Sequence, residues 1–313
     1  MSSRWVLPLG SVSDGEWDVV VDDSLDGWQH TGLYAGSLRA GEQRRVSTGS
    51  REVVVVPLAG SVEVRCTDCD GDGDGSTTTA LLAGRPSVFS GPTDVAYVPR
   101  GSELVIEARG DCRVALAVAA LPQRRASSAP PFRHIRANEV PVELRGAGQA
   151  SREVRNFGVP DVLDAESIIA CEVVTPAGNW SSYPPHKHDE HREGVESELE
   201  EIYYFEVQPE GSIDGRPAPA GADPIGYQRV YGTTNREIDV LAEVRSGDVV
   251  LVPHGWHGPA MAAPGYDLYY LNVMAGPGPE RAWLICDDPA HGWVRDTWAT
   301  QDIDPRLPFG GPR

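Results

Sequence analysis

Lysine is nearly missing from this chain: of its 27 lysines and arginines, all but Lys187 are arginine. Basic residues as a class are also outnumbered, by 46 acidic ones, and the formal net charge is −19. That deficit argues against nucleic acid or an anionic membrane surface as partner, since both need a basic face. It leaves room for a small anionic substrate, because a local arginine cluster can oppose the global field. Long apolar runs are absent: none approaches the ~20 residues that a bilayer-spanning helix needs. The opening stretch Met1-Ser-Ser-Arg-Trp-Val-Leu-Pro-Leu-Gly10 has no apolar core of signal-peptide length, so a cytoplasmic protein is expected. Cysteine is scarce as well. Five scattered residues, Cys66, Cys69, Cys112, Cys171 and Cys286, fit reduced thiols. Cys66-Thr-Asp-Cys69 is a CxxC without the second pair that a structural zinc site requires.

Helical periodicity over ten or more residues is missing throughout, while short β-branched runs are frequent. Arg51-Glu-Val-Val-Val-Val-Pro-Leu-Ala-Gly60-Ser-Val-Glu-Val-Arg65 reads as two strands around a glycine turn. Runs at Val95–Val98, Leu104–Ala108 and Cys112–Ala119 continue the pattern. After a small, polar, Pro-rich stretch beginning at Leu121, strands resume at Ile168, Ile202, Tyr227, Asp248 and Leu268. At 313 residues the chain suits two domains. The expected division is residues 1–122, a linker over 123–150, and 151–313. The halves echo each other: Val95-Ala-Tyr-Val-Pro-Arg-Gly-Ser in the first matches Val249-Val-Leu-Val-Pro-His-Gly-Trp-His in the second. Only the second copy carries a histidine, His257, after the glycine. The expected class is therefore all-β, a duplicated β-barrel in which the second copy kept ligands. Asp70-Gly-Asp-Gly-Asp-Gly75 resembles a calcium loop, but Leu81 stands at the twelfth position where glutamate belongs, so an acidic hairpin tip is expected.

The most informative segment is Trp180-Ser-Ser-Tyr-Pro-Pro-His186-Lys-His188-Asp. Side chains alternate along a strand, so His186 and His188 face one side, about 6–7 Å apart, and can share one divalent metal. Lys187 then faces away. Two further ligands are within reach in sequence: a carboxylate from Glu198-Leu-Glu200-Glu201, and His257. Glu200 and Glu201 point to opposite faces of a strand, so only one of them can be a ligand. His254 precedes the glycine and is a candidate for supporting the site. His30, His134, His191 and His291 read as ordinary core or surface histidines. Of each pair Tyr203-Tyr204 and Tyr269-Tyr270, one ring should face the barrel interior.

The stretches Gly178 to Glu201 and Gly247 to His257 resemble the two cupin motifs, the first with an insertion between the histidine pair and the glutamate. Trp180-Ser-Ser-Tyr-Pro-Pro-His-Lys-His-Asp, Leu199-Glu-Glu-Ile-Tyr-Tyr, Gln228-Arg-Val-Tyr, Tyr266-Asp-Leu-Tyr-Tyr-Leu-Asn-Val-Met-Ala-Gly and Asp288-Pro-Ala-His further resemble the 5-deoxy-glucuronate isomerase family of myo-inositol catabolism. The resemblance implies a bicupin of two tandem jelly-roll domains. It implies an aldose–ketose isomerase that converts 5-deoxy-D-glucuronate to 5-dehydro-2-deoxy-D-gluconate. It implies a divalent metal (Zn, Mn or Fe) held by His186, His188, Glu201 and His257, a register shift favouring Glu200 instead. Glu200, Tyr204 or Tyr270 would carry the proton, and Arg229 would bind the substrate carboxylate bidentately. Two neighbouring readings are a 4-deoxy-5-hexosulose-uronate ketol-isomerase and a metal-dependent cupin oxygenase or decarboxylase. The partner is a small sugar acid, and a homo-oligomer is compatible with the resemblance.

Overall fold

The computed structural model describes residues 3–68, 75–121, 129–213 and 215–310. Valine-rich segments with little helix propensity become strands, and those strands bury both faces. In Glu200–Pro209, for example, odd positions enter one core and even positions another. The C-terminal half is built on a 7-stranded antiparallel sheet. Its order is Val6–Leu7, Val249–Val252, Glu200–Pro209, Tyr266–Ala275, Ile169–Thr175, Arg152–Gly158, Val142–Arg145. The N-terminal half repeats that order with Arg133–Ile135, Val95–Val98, Arg51–Thr67, Cys112–Ala120, Thr31–Leu38 and Val19–Val21. The echo between Val95 and Val249 is thus spatial: both segments flank the central strand of their own sheet.

The two halves exchange edge strands. Val6–Leu7 pairs with Val249–Val252 of the second half, and Arg133–Ile135 pairs with Val95–Val98 of the first. The stretch expected as a linker therefore contributes Arg133–Ile135 to one sheet and Val142–Arg145 to the other. Residues 122–128 lie outside the described residues, as do Cys69 and the Asp70–Asp74 part of the acidic tip. Thiols are free at Cys112, Cys171 and Cys286. Cys66 is disulfide-bonded, which corrects the expectation of five reduced thiols. The expected turn at Gly60 is also corrected. Arg51–Thr67 is one 17-residue strand with a bulge between Gly60 and Val62, where the register shifts. Gly60 has φ 77, and a Cβ there would lie 2.7 Å from the Asp111 carbonyl oxygen. Only glycine fits a bulge of that kind, which bends the strand from one side of its barrel to the other.

Three apolar clusters result. One fills the N-terminal barrel, from Val53, Val55, Val64, Ile106 and Leu116. One fills the C-terminal barrel between the 7-stranded sheet and a 6-stranded sheet that carries Gly226–Tyr231, Trp256–Ala262 and His186–Lys187. The third lies between the barrels, where the large sheets pack back to back through Val54, Val56, Tyr97, Ile202, Leu251 and Leu271. Each such side chain contributes about 1.5–3 kcal/mol on full burial.

Charges are buried in this middle layer. Glu172 accepts from Arg85 and from the Tyr269 hydroxyl (2.6 Å), and Arg155 lies 3.7 Å away. Glu52 accepts from the backbone N–H groups of Glu166, Ser167 and Ile168 and from the Tyr97 hydroxyl, tying the first half to the entrance of strand Ile169–Thr175. Among the described residues no helix is long and apolar enough to cross a membrane.

Candidate metal centre

Strand pairing assembles the histidines. His186 sits directly opposite His257 across an antiparallel pair, and their ring centroids are 4.5 Å apart. The His188 ring is 4.6 Å from that of His257. From the facing sheet, Glu201 sends its Oε2 to within 3.1 Å of His188 Nε2 and 3.0 Å of His257 Nε2. All four side chains are buried.

The insertion after His188 does not disturb this register, for a reason visible at Lys187. Its ammonium, turned away from the ligands, contacts Asp189 and Glu196 at 2.7 Å each. The inserted residues fold into the hairpin Asp189–Arg192 with Glu196–Glu198. The chain then returns beside its starting point, with Leu199 N donating to the His188 carbonyl at 2.9 Å. The single lysine therefore closes the hairpin that lets Glu201 reach the histidines.

Each imidazole is oriented by a backbone carbonyl. Nδ1 of His186 faces Pro184 O at 3.3 Å, Nδ1 of His188 faces Leu199 O at 3.3 Å, and Nδ1 of His257 faces Gly255 O at 3.2 Å. An Nδ1–H donated to its carbonyl leaves Nε2 as the ligand atom, the arrangement that metal-bound histidines adopt; His188 Nε2 also lies in hydrogen-bond contact with Glu201 Oε2. His257 Nε2 is close to Glu201 but not aligned for a hydrogen bond, and has no hydrogen-bond partner. The ligand atoms of His188, Glu201 and His257 all lie within 4.8 Å of one another, so the residues fit a divalent ion. Burial pushes the Glu201 carboxyl up, but the His257 and His188 imidazoles outweigh it and hold it well below the usual carboxylate range. Burial, followed by the two neighbouring imidazoles, holds the His186 pKa well below 6.5.

His186 and Glu201 open onto a cavity of about 210 Å³, also lined by Ser182, Tyr203, Tyr270, Asn272, Arg145, Arg152 and Arg295. Ser182 Oγ lies 3.2 Å from the Tyr203 hydroxyl and 3.0 Å from that of Tyr270. It holds that place at φ 48, a left-handed conformation unusual for serine. Gly258 allows it: a Cβ on Gly258 would come 1.8 Å from the Ser182 carbonyl oxygen. Burial pushes the Tyr270 phenol up to about 12, so it stays protonated at neutral pH.

The expected residues divide by strand parity. His188, Glu201 and His257 bring their ligand atoms together, the His186 ring lies beside His257, and Tyr270 lines the adjoining cavity with His186 and Glu201. Glu200 does not; it faces the other barrel and accepts from the backbone N–H groups of Gln29 and His30, the latter at 2.7 Å. Tyr204 likewise faces the layer between the barrels, accepting from Arg113 at 3.0 Å. Tyr203, two positions from Glu201, holds the cavity position assigned to Tyr204. Arg229 is corrected for the same reason. On strand Gly226–Tyr231, Gln228 and Val230 turn inward, while Arg229 turns outward to Asp239 and the Val240 carbonyl. The cavity arginines come instead from the stretch read as linker (Arg145), the strand that follows it (Arg152) and the C-terminal segment (Arg295). Parity counted from Glu201 finds Tyr203; no local signal marks the arginines, which the fold gathers from separate elements.

Comparison with known proteins agrees with this architecture. The sequence model of the KduI/IolB family matches residues 5–294. A Geobacillus thermodenitrificans protein named 5-deoxy-glucuronate isomerase is 36% identical over 296 residues, covering 94% of this chain and 97% of its own. One of that name from Geobacillus kaustophilus is 38% identical over 301 residues, covering 94% and 96%. The crystal structure of an IolB-like protein from Salmonella typhimurium superposes with TM-score 0.77 at 32% identity, covering 93% of this chain and 99% of that one. The oxalate decarboxylase of Lactobacillus farciminis superposes with TM-score 0.61 at 11% identity, covering 92% and 89%. At that identity the likeness shows the bicupin fold alone. With the family's pattern running through both barrels and relatives above 30% identity along nearly the whole sequence, the chain belongs to the KduI/IolB family.

Proposed function

We propose that the chain is an aldose–ketose isomerase that converts 5-deoxy-D-glucuronate to 5-dehydro-2-deoxy-D-gluconate, a step of inositol catabolism. The observation that carries this reading is a cavity lined by His186, Glu201 and the phenols of Tyr203 and Tyr270, beside the buried His188 and His257, in a chain similar along its length to named 5-deoxy-glucuronate isomerases. The reaction is redox-neutral within the substrate. A proton leaves C2 and one is added at C1, while the O2 hydroxyl loses its proton and O1 gains one, so the C1 aldehyde becomes an alcohol and the C2 alcohol a ketone. His186, His188, Glu201 and His257 would hold a divalent ion, for which Zn, Mn and Fe all suit. When bound, that ion supplies Lewis-acid polarisation of substrate oxygens.

The rest falls to the chain. Tyr270, kept protonated by burial, donates a hydrogen bond to a substrate oxygen, and Ser182, hydrogen-bonded to the hydroxyls of Tyr270 and Tyr203, holds both phenols in place. Glu200 and Tyr204 take no part, being on the far face of their strand.

Metal-loaded protein mixed with 5-deoxy-D-glucuronate should lose the aldehyde proton signal and gain the ketone product by NMR. An untouched aldehyde, or dioxygen uptake in its place, counts against the isomerase. Tyr270→Phe should lower kcat about 100-fold with metal content unchanged; wild-type turnover in that variant removes the phenol from the mechanism.

A further inference from the structure

Three guanidinium groups line one cavity in a protein of net charge −19, and they are not equivalent. Arg145 and Arg152 stand directly opposite each other on adjacent antiparallel strands, a placement that like charges disfavour. Arg145 is matched by Glu143, through Nε at 2.9 Å and a second contact at 2.6 Å. Arg295, from the short helix Trp293–Asp296, is matched by two 2.6 Å contacts to Asp287. Arg152 has no such partner. It is 5% exposed, stacks 5.4 Å from the Trp298 ring centroid, and its one hydrogen bond goes to the Ala150 carbonyl at 3.0 Å. Among the described residues no carboxylate hydrogen-bonds it. Trp283, on the same cavity wall, has a buried indole N–H without an acceptor.

A buried cation without a counter-charge is costly unless something else supplies one. Burial, reinforced by Arg145 and Arg295, lowers the Arg152 pKa to about 10, which still leaves it charged at neutral pH. The remaining donors of a planar guanidinium fit one carboxylate in a two-point contact.

We infer that Arg152 is the carboxylate anchor of this cavity, binding the acid end of a uronate while the opposite, aldehyde end reaches His186 and Glu201. The inference rests on the isomerase reading for the identity of the uronate, and on the cavity alone for its carboxylate. Arg145 and Arg295 add positive potential, but their own carboxylates hold them in place. The anchor selects substrate as well as orienting it: a sugar with a hydroxymethyl group at that position lacks the charge Arg152 is built to meet.

The test is calorimetric binding of D-glucuronate and of D-glucose to the purified wild type, Arg152→Met and Arg152→Lys. Glucuronate should bind the wild type and bind Arg152→Met at least about 100-fold more weakly, with Arg152→Lys between them. D-glucose should bind wild type and Arg152→Met alike. Arg152→Met removes a buried charge but keeps the chain length, so its thermal midpoint and metal content should not fall. With 5-deoxy-D-glucuronate as substrate the loss should appear mainly in KM. Equal glucuronate binding by wild type and Arg152→Met, or no binding by the wild type, overturns the assignment. Glucuronate binding that depends on Arg152, in a protein that leaves 5-deoxy-D-glucuronate unisomerised, refutes the isomerase reading and leaves the anchor standing.

Discussion

Glu201→Gln is expected to strip the bound divalent ion and lower turnover at least ~1000-fold, about 4 kcal/mol of barrier. Glu201 supplies the one carboxylate in the cluster, so its replacement leaves the imidazoles facing an uncharged amide. The fold should survive. The new amide can donate to the lone pair of His188 Nε2 or His257 Nε2, the two atoms now 3.1 and 3.0 Å from Glu201 Oε2. Elemental analysis reads the metal and NMR turnover reads the rate. A variant that keeps a full complement of metal and wild-type turnover refutes the ligand assignment.

The second large effect concerns stability and lies away from the cavity, in the layer between the barrels. Glu172→Ala should destabilise the protein by about 3–5 kcal/mol, measured as a lower urea midpoint. Arg85 and Arg155 are both buried against Glu172, and neither can reach solvent when the carboxylate is removed. The same residue sets a pH dependence. Burial alone raises its pKa, but the Arg85 guanidinium outweighs burial and the folded-state pKa lies below the ordinary 4.5. The folded state thus favours the ionised form. That stability is fully present above the unfolded pKa near 4.5 and is lost as pH falls through the lower folded value. The wild type should lose stability below pH 4.5 more steeply than Glu172→Gln does. Identical acid profiles, or a Glu172→Ala midpoint equal to wild type, would contradict the account.

Much of the metal centre was legible because it depends on short-range periodicity. Two histidines at i and i+2 on a strand share a face whatever surrounds them, and a glycine-proline-flanked histidine on the neighbouring strand completes the pattern. The choice between Glu200 and Glu201 was not legible, because the insertion obscures the count. It was decided by Lys187, whose buried contacts with Asp189 and Glu196 return the inserted hairpin to register. Once Glu201 faces inward, parity alone brings Tyr203 in and turns Tyr204 and Glu200 out. Arg229 is turned away from the cavity by the same parity, being one residue away from inward-facing Gln228 and Val230.

By itself the sequence determined the strand-rich class, the duplication, the barrel that kept its histidines and the family. These follow from residue type and spacing within a few positions along one strand. Tertiary structure decided the rest: the exchange of Val6–Leu7 and Arg133–Ile135 between halves, the bend at Gly60 within one long strand, and the gathering of Arg145, Arg152 and Arg295 on one wall. Several of those features join segments distant in the chain, such as Val6 with Val250 across one strand pair and Arg152 with Arg295 on one wall. Local periodicity carries no record of which distant segment a face will meet.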